Sequence, residues 1–295
     1  MKKSTMLKKL LEKGEFLVIP GVTNTLDAML AEKAGFKVIY MTGYGVAGTW
    51  LGKPDIGLTT MPEMLARAKT IADSVDIPLI ADGDIGFGNA LNAMRTVKEY
   101  ARAGIAAMQL DTMEVEICPH LGGSAWAGKR TEGYSQRIRW LPLEVMVRKV
   151  KAVVEARGDP DFGLFTGGGP TETIKPIYEA AKDVPLIMFA NPDKEKDIKL
   201  MRSLGIAPLI VATPPGNPNL LTAEEYMKMG IQIALYPLGA TYAAAKTYKT
   251  YFDHLKNKGT TKGFESGYIT HDEYLELVGI DKIAEWGGKY LPPEE

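Results

Sequence analysis

The sequence predicts an α/β protein of the (β/α)8 TIM-barrel class, and three observations carry that prediction. Eight short apolar runs each end in, or are followed by, Gly, Pro, Asn or Asp, the appearance of parallel strands buried on both faces. Helical runs lie between them. Acids and glycines crowd the ends of the second, third and fourth runs, and in a parallel α/β protein that edge is where ligands bind. The chain has 295 residues, and one barrel takes about 250. A doubly wound open sheet is the alternative, and a count that closes at eight favours the barrel.

In chain order, the first strand is expected at 16–20, before Gly21, and the second at 37–42, before Gly43. The third, 78–82, ends in Asp82, and the fourth, 106–111, ends in Asp111. The fifth, 162–166, precedes Gly167; the sixth, 185–191, ends in Asn191. The seventh, 208–213, precedes Pro214, and the eighth, 231–237, ends in Pro237. Helices are expected at 25–34, 61–74, 90–103, 143–156, 171–182, 194–204, 222–229 and 241–258. Residues 112–140 are long, Gly-rich and polar after the fourth strand, which reads as a lid or binding loop with Gly122, Gly123 and Gly128 as hinges. A last helix, 271–286, has apolar positions but no strand left to cover, so it must pack on the barrel or on another subunit. No repeat, low-complexity tract or linker interrupts the chain. It reads as one barrel domain, 1–295, with the lid loop 112–140 and a C-terminal helical segment, 268–295.

Composition narrows the function classes. Formal net charge is −1, so no global basic surface argues for nucleic acid or an anionic membrane. No apolar run approaches the roughly 20 residues of a membrane helix, and the basic N-terminus lacks an apolar signal core. Cys118 is the one cysteine, so no intrachain disulfide forms. A soluble cytoplasmic protein with a small-molecule substrate is the expectation.

The stretch Asp82-Gly83-Asp84-Ile85-Gly86-Phe87-Gly88-Asn89 places two carboxylates at a strand end in a tight glycine-rich loop. Adjacent like charges are costly unless a cation or basic partner neutralises them, and hard divalent ions take such oxygen ligands. Asp55, after the second strand, and Asp111 fall at the same mouth. Helix capping or pairing with lysines is the other reading of these acids.

Several segments in register resemble the isocitrate lyase/phosphoenolpyruvate mutase superfamily. They are Tyr40-Met41-Thr42-Gly43-Tyr44-Gly45, Leu51-Gly52-Lys53-Pro54-Asp55, the Asp82–Asn89 stretch, Cys118-Pro119-His120-Leu121-Gly122-Gly123 and Ala234-Leu235-Tyr236-Pro237-Leu238. The resemblance implies a homotetrameric barrel whose last helix is exchanged between subunits. It implies Mg²⁺ or Mn²⁺ near Asp55, Asp82, Asp84 and Asp111, held partly through water. It further implies 2-oxo or 2-hydroxy acid substrates bound as chelates, with chemistry passing through an enolate whose charge the cation stabilises. Backbone N–H groups around Thr42, Gly43 and Tyr44 would hold the enolate oxygen or the carboxylate.

The chain also departs from that pattern. Cys118 and His120, the residues expected to handle the proton, lack the family's basic neighbours, and Glu116 disfavours a thiolate. Asp111-Thr112 replaces Glu-Asp, which shortens the reach of the acid. Thr166 and Gly167 replace the arginine region after the fifth strand, Asn191 a glutamate and Ala212 an asparagine. Thr166, Gly167 and Asn191 are therefore expected to line a rebuilt substrate side. The glycines at 167–169 offer N–H groups to an anion. Lys129-Arg130 and Trp126 in the lid would meet a distal carboxylate and an apolar substituent. The expected function is Mg²⁺-dependent carbon–carbon cleavage of a substituted 2-hydroxy acid to a pyruvate-like 2-oxo acid. Decarboxylation, P–C chemistry and a barrel that binds a metabolite without catalysis are the alternatives.

Overall fold

A computed structural model describes residues 1–119, 134–167, 169–190, 195–213 and 221–292, with backbone alone at 113–119 and 134–139. The strands in chain order are β1 (Leu17–Val22), β2 (Ile39–Met41), β3 (Leu79–Asp82), β4 (Ala107–Gln109), β5 (Met113–Pro119) and β6 (Tyr134–Trp140). They continue with β7 (Gly163–Gly167), β8 (Leu186–Phe189), β9 (Leu209–Ala212) and β10 (Ile233–Tyr236). Eight of them close into a parallel barrel in the order β1-β10-β9-β8-β7-β4-β3-β2, and β5 pairs only with β6. Closure by β1 against β10 excludes the open sheet.

Period-two alternation sorts the strand residues into two cores. Ile19, Tyr40, Ile80, Ala107, Phe165, Ile187, Ile210 and Ile233 fill the barrel interior. Ile39, Met41, Leu79, Met108, Leu164, Met188, Leu209 and Val211 face the helices. The helices are α1 (Lys3–Glu12), α2 (Thr25–Lys33), α3 (Gly43–Val46), α4 (Met61–Ser74), α5 (Ala90–Arg102) and α6 (Leu143–Ala156). After them come α7 (Ile174–Ala181), α8 (Glu195–Ser203), α9 (Ala223–Met229), α10 (Gly239–Lys258), α11 (His271–Leu277) and α12 (Ile280–Tyr290). Starts are chemically specified: Thr60/Glu63 and Asn89/Asn92 form capping boxes on α4 and α5. No helix of the described residues is long and apolar enough to cross a membrane.

Three features differ from the sequence reading. First, α1 precedes β1, and its Leu7, Leu10 and Leu11 join the interior core, closing the barrel floor. Second, the two ends of the lid segment form an antiparallel hairpin and not a loop. Its register sets Glu114 opposite Arg139 and Glu116 opposite Arg137, and opposite charges across a strand pair favour pairing. Residues 120–133, which include His120, Trp126, Lys129 and Arg130, lie outside the described residues, as do Gly168 and Asn191. Third, the helix expected at 271–286 is two helices, α11 and α12, broken at Gly279, whose φ of 77° is left-handed.

The chain forms two compact units, Met1–Thr241 and Tyr242–Glu295. In the second, Phe252, Tyr274, Ile283 and Trp286 are exposed apolar side chains.

Candidate active site

The inward rows of β2, β3 and β4 end at Thr42, Asp82 and Asp111, so alternation itself delivers two acids to the C-terminal mouth. Asp82 is buried, 8% exposed. Its Oδ2 accepts from Tyr40 Oη and from the Gly43 N–H, each at 3.0 Å. Its Oδ1 accepts from the Asp84 N–H at 3.0 Å. Burial pushes its pKa up, and these three donors pull against that. Tyr40 Oη is also 2.8 Å from Gln109 Oε1, and Gln109 Nε2 donates to Asp111 Oδ1 at 2.7 Å. The one hydroxyl proton of Tyr40 thus has two acceptors in reach, Asp82 and Gln109, and Gln109 in turn bonds Asp111. Tyr40 and Gln109 were not singled out in the sequence. The same period of two that places Asp111 in the inward row also places Gln109 there, and it was the available signal.

Asp84 stands in the turn after β3 with φ of 46°, in the left-handed region that a residue with a side chain enters only at a cost. Asp55, Asp84 and Asp111 together line a cavity of about 610 Å³. Burial, then the charges of Asp82, Asp55 and Asp111, drive the Asp84 pKa well above the carboxylate range. Burial and Asp82 push Asp55 up to about 6. Burial and Asp82 push Asp111 up to about 8, against the opposing bond from Gln109. Among the described residues no lysine or arginine is paired with any of the four.

This donor set fits a hard divalent cation: all its oxygens are carboxylate, it is desolvated, and its negative charge is uncompensated. No three of the described carboxylates already surround one point closely enough to ligate an ion together. Mg²⁺ keeps several waters and takes one or two carboxylates directly. The remainder would act through water.

The other expected site residues divide. Thr42 is the N-cap of α3, its hydroxyl accepting from the Gly45 N–H at 3.3 Å. The N–H groups of Thr42 and Gly43 are taken by Val22 O and Asp82, which corrects the expectation that both are free for substrate. Tyr44 exposes its ring at the mouth. Thr166 is a second correction. It shares the helix-facing row with Leu164, is 2% exposed and donates to Leu110 O at 2.8 Å. Phe165 and Gly167 take the inward positions, and Gly167, with φ of 108°, stays in the mouth. Cys118 is the last residue but one of β5, and nothing of its side chain is described. The cavity wall adds Met61, Pro62, Ile85 and Phe87 as apolar surface and Arg95 as a cation.

A glycine at position 43 is required by the site itself. A Cβ there would lie 2.7 Å from Asp82 Oδ2. Gly43→Ala should therefore displace the buried carboxylate, costing about 1–3 kcal/mol of stability. Metal affinity should fall with it. A variant with wild-type melting temperature and metal affinity would contradict this geometry.

Comparison with known proteins agrees with the barrel. Residues 7–251 match the family described as phosphoenolpyruvate phosphomutase. The 2,3-dimethylmalate lyase of Eubacterium barkeri is 34% identical over 295 residues, covering 97% of each chain. The 2-methylisocitrate lyase of Aeropyrum pernix is 31% identical, covering 93% of this chain and 86% of that protein. A solved phosphonopyruvate hydrolase in complex with oxalate and Mg²⁺ superposes with a TM-score of 0.80 at 25% identity, over 99% of this chain and 100% of that one.

Proposed function

This chain is an enzyme of the phosphoenolpyruvate mutase/isocitrate lyase superfamily, and from that premise we propose that it is a divalent-metal-dependent carbon–carbon lyase acting on an alkyl-substituted malate. The observation that carries the reading is the cluster of buried Asp82 with half-buried Asp55, Asp84 and Asp111, which has no cationic partner among the described residues, the last three lining a cavity of about 610 Å³. A bound Mg²⁺ or Mn²⁺ supplies positive charge for the oxygen on which negative charge develops. Asp82 and Asp84 hold it, with Asp55 and Asp111 acting directly or through water. The Mg²⁺-containing phosphonopyruvate hydrolase of the same fold supports this assignment.

In the reaction the substrate's 2-hydroxyl loses its proton and the C2–C3 bond breaks. C2 becomes the carbonyl of a 2-oxo acid, and the bonding pair stays on C3 until a proton is delivered. Cys118 and His120 are the groups proposed to move these protons. Tyr40, whose own ionisation is driven far up by burial and by Asp82, stays a neutral donor to Asp82. Tyr44, with Gly167 and Asn191, forms the substrate side, while Thr42 and Gly43 hold the turn and Asp82 in place.

Two observations favour a small alkyl-substituted diacid. Met61, Pro62, Ile85 and Phe87 give the cavity an apolar wall for methyl groups, and Arg95 offers a second carboxylate a charge-assisted partner. The test substrate is 2,3-dimethylmalate, after the relative of that name. Cleavage at C2–C3 should give pyruvate and propionate in equal amounts, only with divalent metal present. Isocitrate and methylisocitrate should be poor substrates, because the inward position at the end of β7 is Gly167, which offers no side-chain cation to a further carboxylate. Efficient isocitrate cleavage, or cleavage without metal, would defeat the reading.

Assembly follows the same premise. The exposed Phe252, Tyr274, Ile283 and Trp286 need cover, and a second subunit supplies it in a homotetramer. Sedimentation should show one oligomeric species, and deletion of residues 268–295 should give smaller or aggregated ones. A stable wild-type monomer at micromolar concentration would rule this out.

A further inference from the structure

The turn after β3 carries Asp84 through an unusual path, because two residues with side chains, Asp84 and Phe87, have left-handed backbone at φ of 46° and 56°. Such a turn persists only where its surroundings over-determine it. Every carbonyl from Gly83 to Gly86 has a donor. Gly83 O takes the Gly86 N–H at 2.8 Å, and Asp84 O takes the Asp111 N–H at 2.7 Å. Gly86 O takes Thr96 Oγ1 at 3.3 Å. Ile85 O, the carbonyl next to Asp84, takes Lys149 Nζ at 2.9 Å from across the α5–α6 interface.

Lys149 is out of place by composition. It lies in the buried stripe of α6 with Met146, Val150 and Val153, where helical spacing calls for an aliphatic residue, and it is 3% exposed. Burying an ammonium is costly unless it is hydrogen-bonded. We propose that Lys149 is a positioning residue, whose ammonium holds the Ile85 carbonyl and so fixes Asp84 in the backbone conformation that presents its carboxylate to the cation. The inference rests on the cation site proposed above. The bond to Ile85 O is to backbone, and through it Lys149 acts on the acid by geometry. Metals are sensitive to such outer contacts.

The test titrates Mn²⁺ into metal-stripped full-length protein by calorimetry, with thermal melting of each variant. Lys149→Met should bind Mn²⁺ at least about tenfold more weakly, the lower end for loss of an outer contact. Saturating metal should restore most of kcat and leave KM for the organic acid nearly unchanged. Lys149→Arg, which still donates to Ile85 O, should stay within about threefold of wild type. If Lys149→Met does not fold, Lys149→Gln, polar but one atom too short, is read by the same criteria. A variant that loses the Ile85 contact yet binds Mn²⁺ as wild type does, or a Lys149→Arg as weak as Lys149→Met, overturns the proposal. Asp84→Asn separates the two claims. If it weakens Mn²⁺ binding and Lys149→Met does not, only the role of Lys149 fails. If wild type binds no Mn²⁺, the cation site fails and the role of Lys149 with it.

Discussion

Asp84→Gly is expected to abolish metal-dependent turnover while raising the melting temperature of the metal-free protein. Asp84 is a residue with a side chain at φ of 46°, half-buried among Asp82, Asp55 and Asp111. Glycine enters that backbone region freely. Relief of the left-handed backbone is worth about 1–2 kcal/mol, less roughly 0.5–1 for the extra freedom of an unfolded glycine. For a chain of this size the net should appear as a rise of about 2–4 °C. Catalysis moves the other way, because losing the cation's hold on developing charge costs several kcal/mol, roughly a thousandfold or more in rate. Melting curves and initial rates decide it: retained metal-dependent activity, or a metal-free protein several degrees less stable, would sink the assignment.

The second large effect is on pH dependence. In the metal-free protein Asp55 is raised to about 6 and Asp111 to about 8, from an unfolded value of about 3.9. The folded state therefore binds more protons than the unfolded state between those limits. Stability is full below about pH 4 and falls as pH rises toward 6 and then 8. The loss should amount to several kcal/mol across the window. A divalent cation replaces those protons, so its affinity rises and protons are released as pH rises through the same range. Melting temperatures measured from pH 5 to 8 should fall without metal and hold nearly level with excess Mg²⁺. A metal increment of the same size at pH 5 and pH 8 would show that the acids do not share a cation.

Much of the barrel was legible in the sequence, because parallel strands buried on both faces leave a signal that polar helix surfaces do not blur. All eight strands stand where the apolar runs placed them, to within a few residues at each end. Asp82 and Asp84 were legible for a related reason: acids beside glycines at a strand end have few structural uses. What escaped depends on partners distant in the chain. The α1 helix reads as a charged tail until the barrel floor exists to receive Leu7. The hairpin arms β5 and β6 were hidden by the glycines between them, although Glu and Arg alternate in register. Thr166 was assigned by alignment to a missing arginine, and one step of strand parity puts it on the opposite face. Lys149 looks like an ordinary helix lysine until Ile85, 64 positions earlier, is brought beside it.

The closed floor has one more consequence. Leu7, Leu10 and Leu11 seal one end of the barrel beneath Leu17 and Val38. Among the described residues the interior is packed and its floor is shut, so the acids are approached from the mouth. Both fragments of a cleaved substrate have to leave by the way the substrate came in, so departure is a queue. If the proposed cation chelates one fragment, that fragment would be the last to leave.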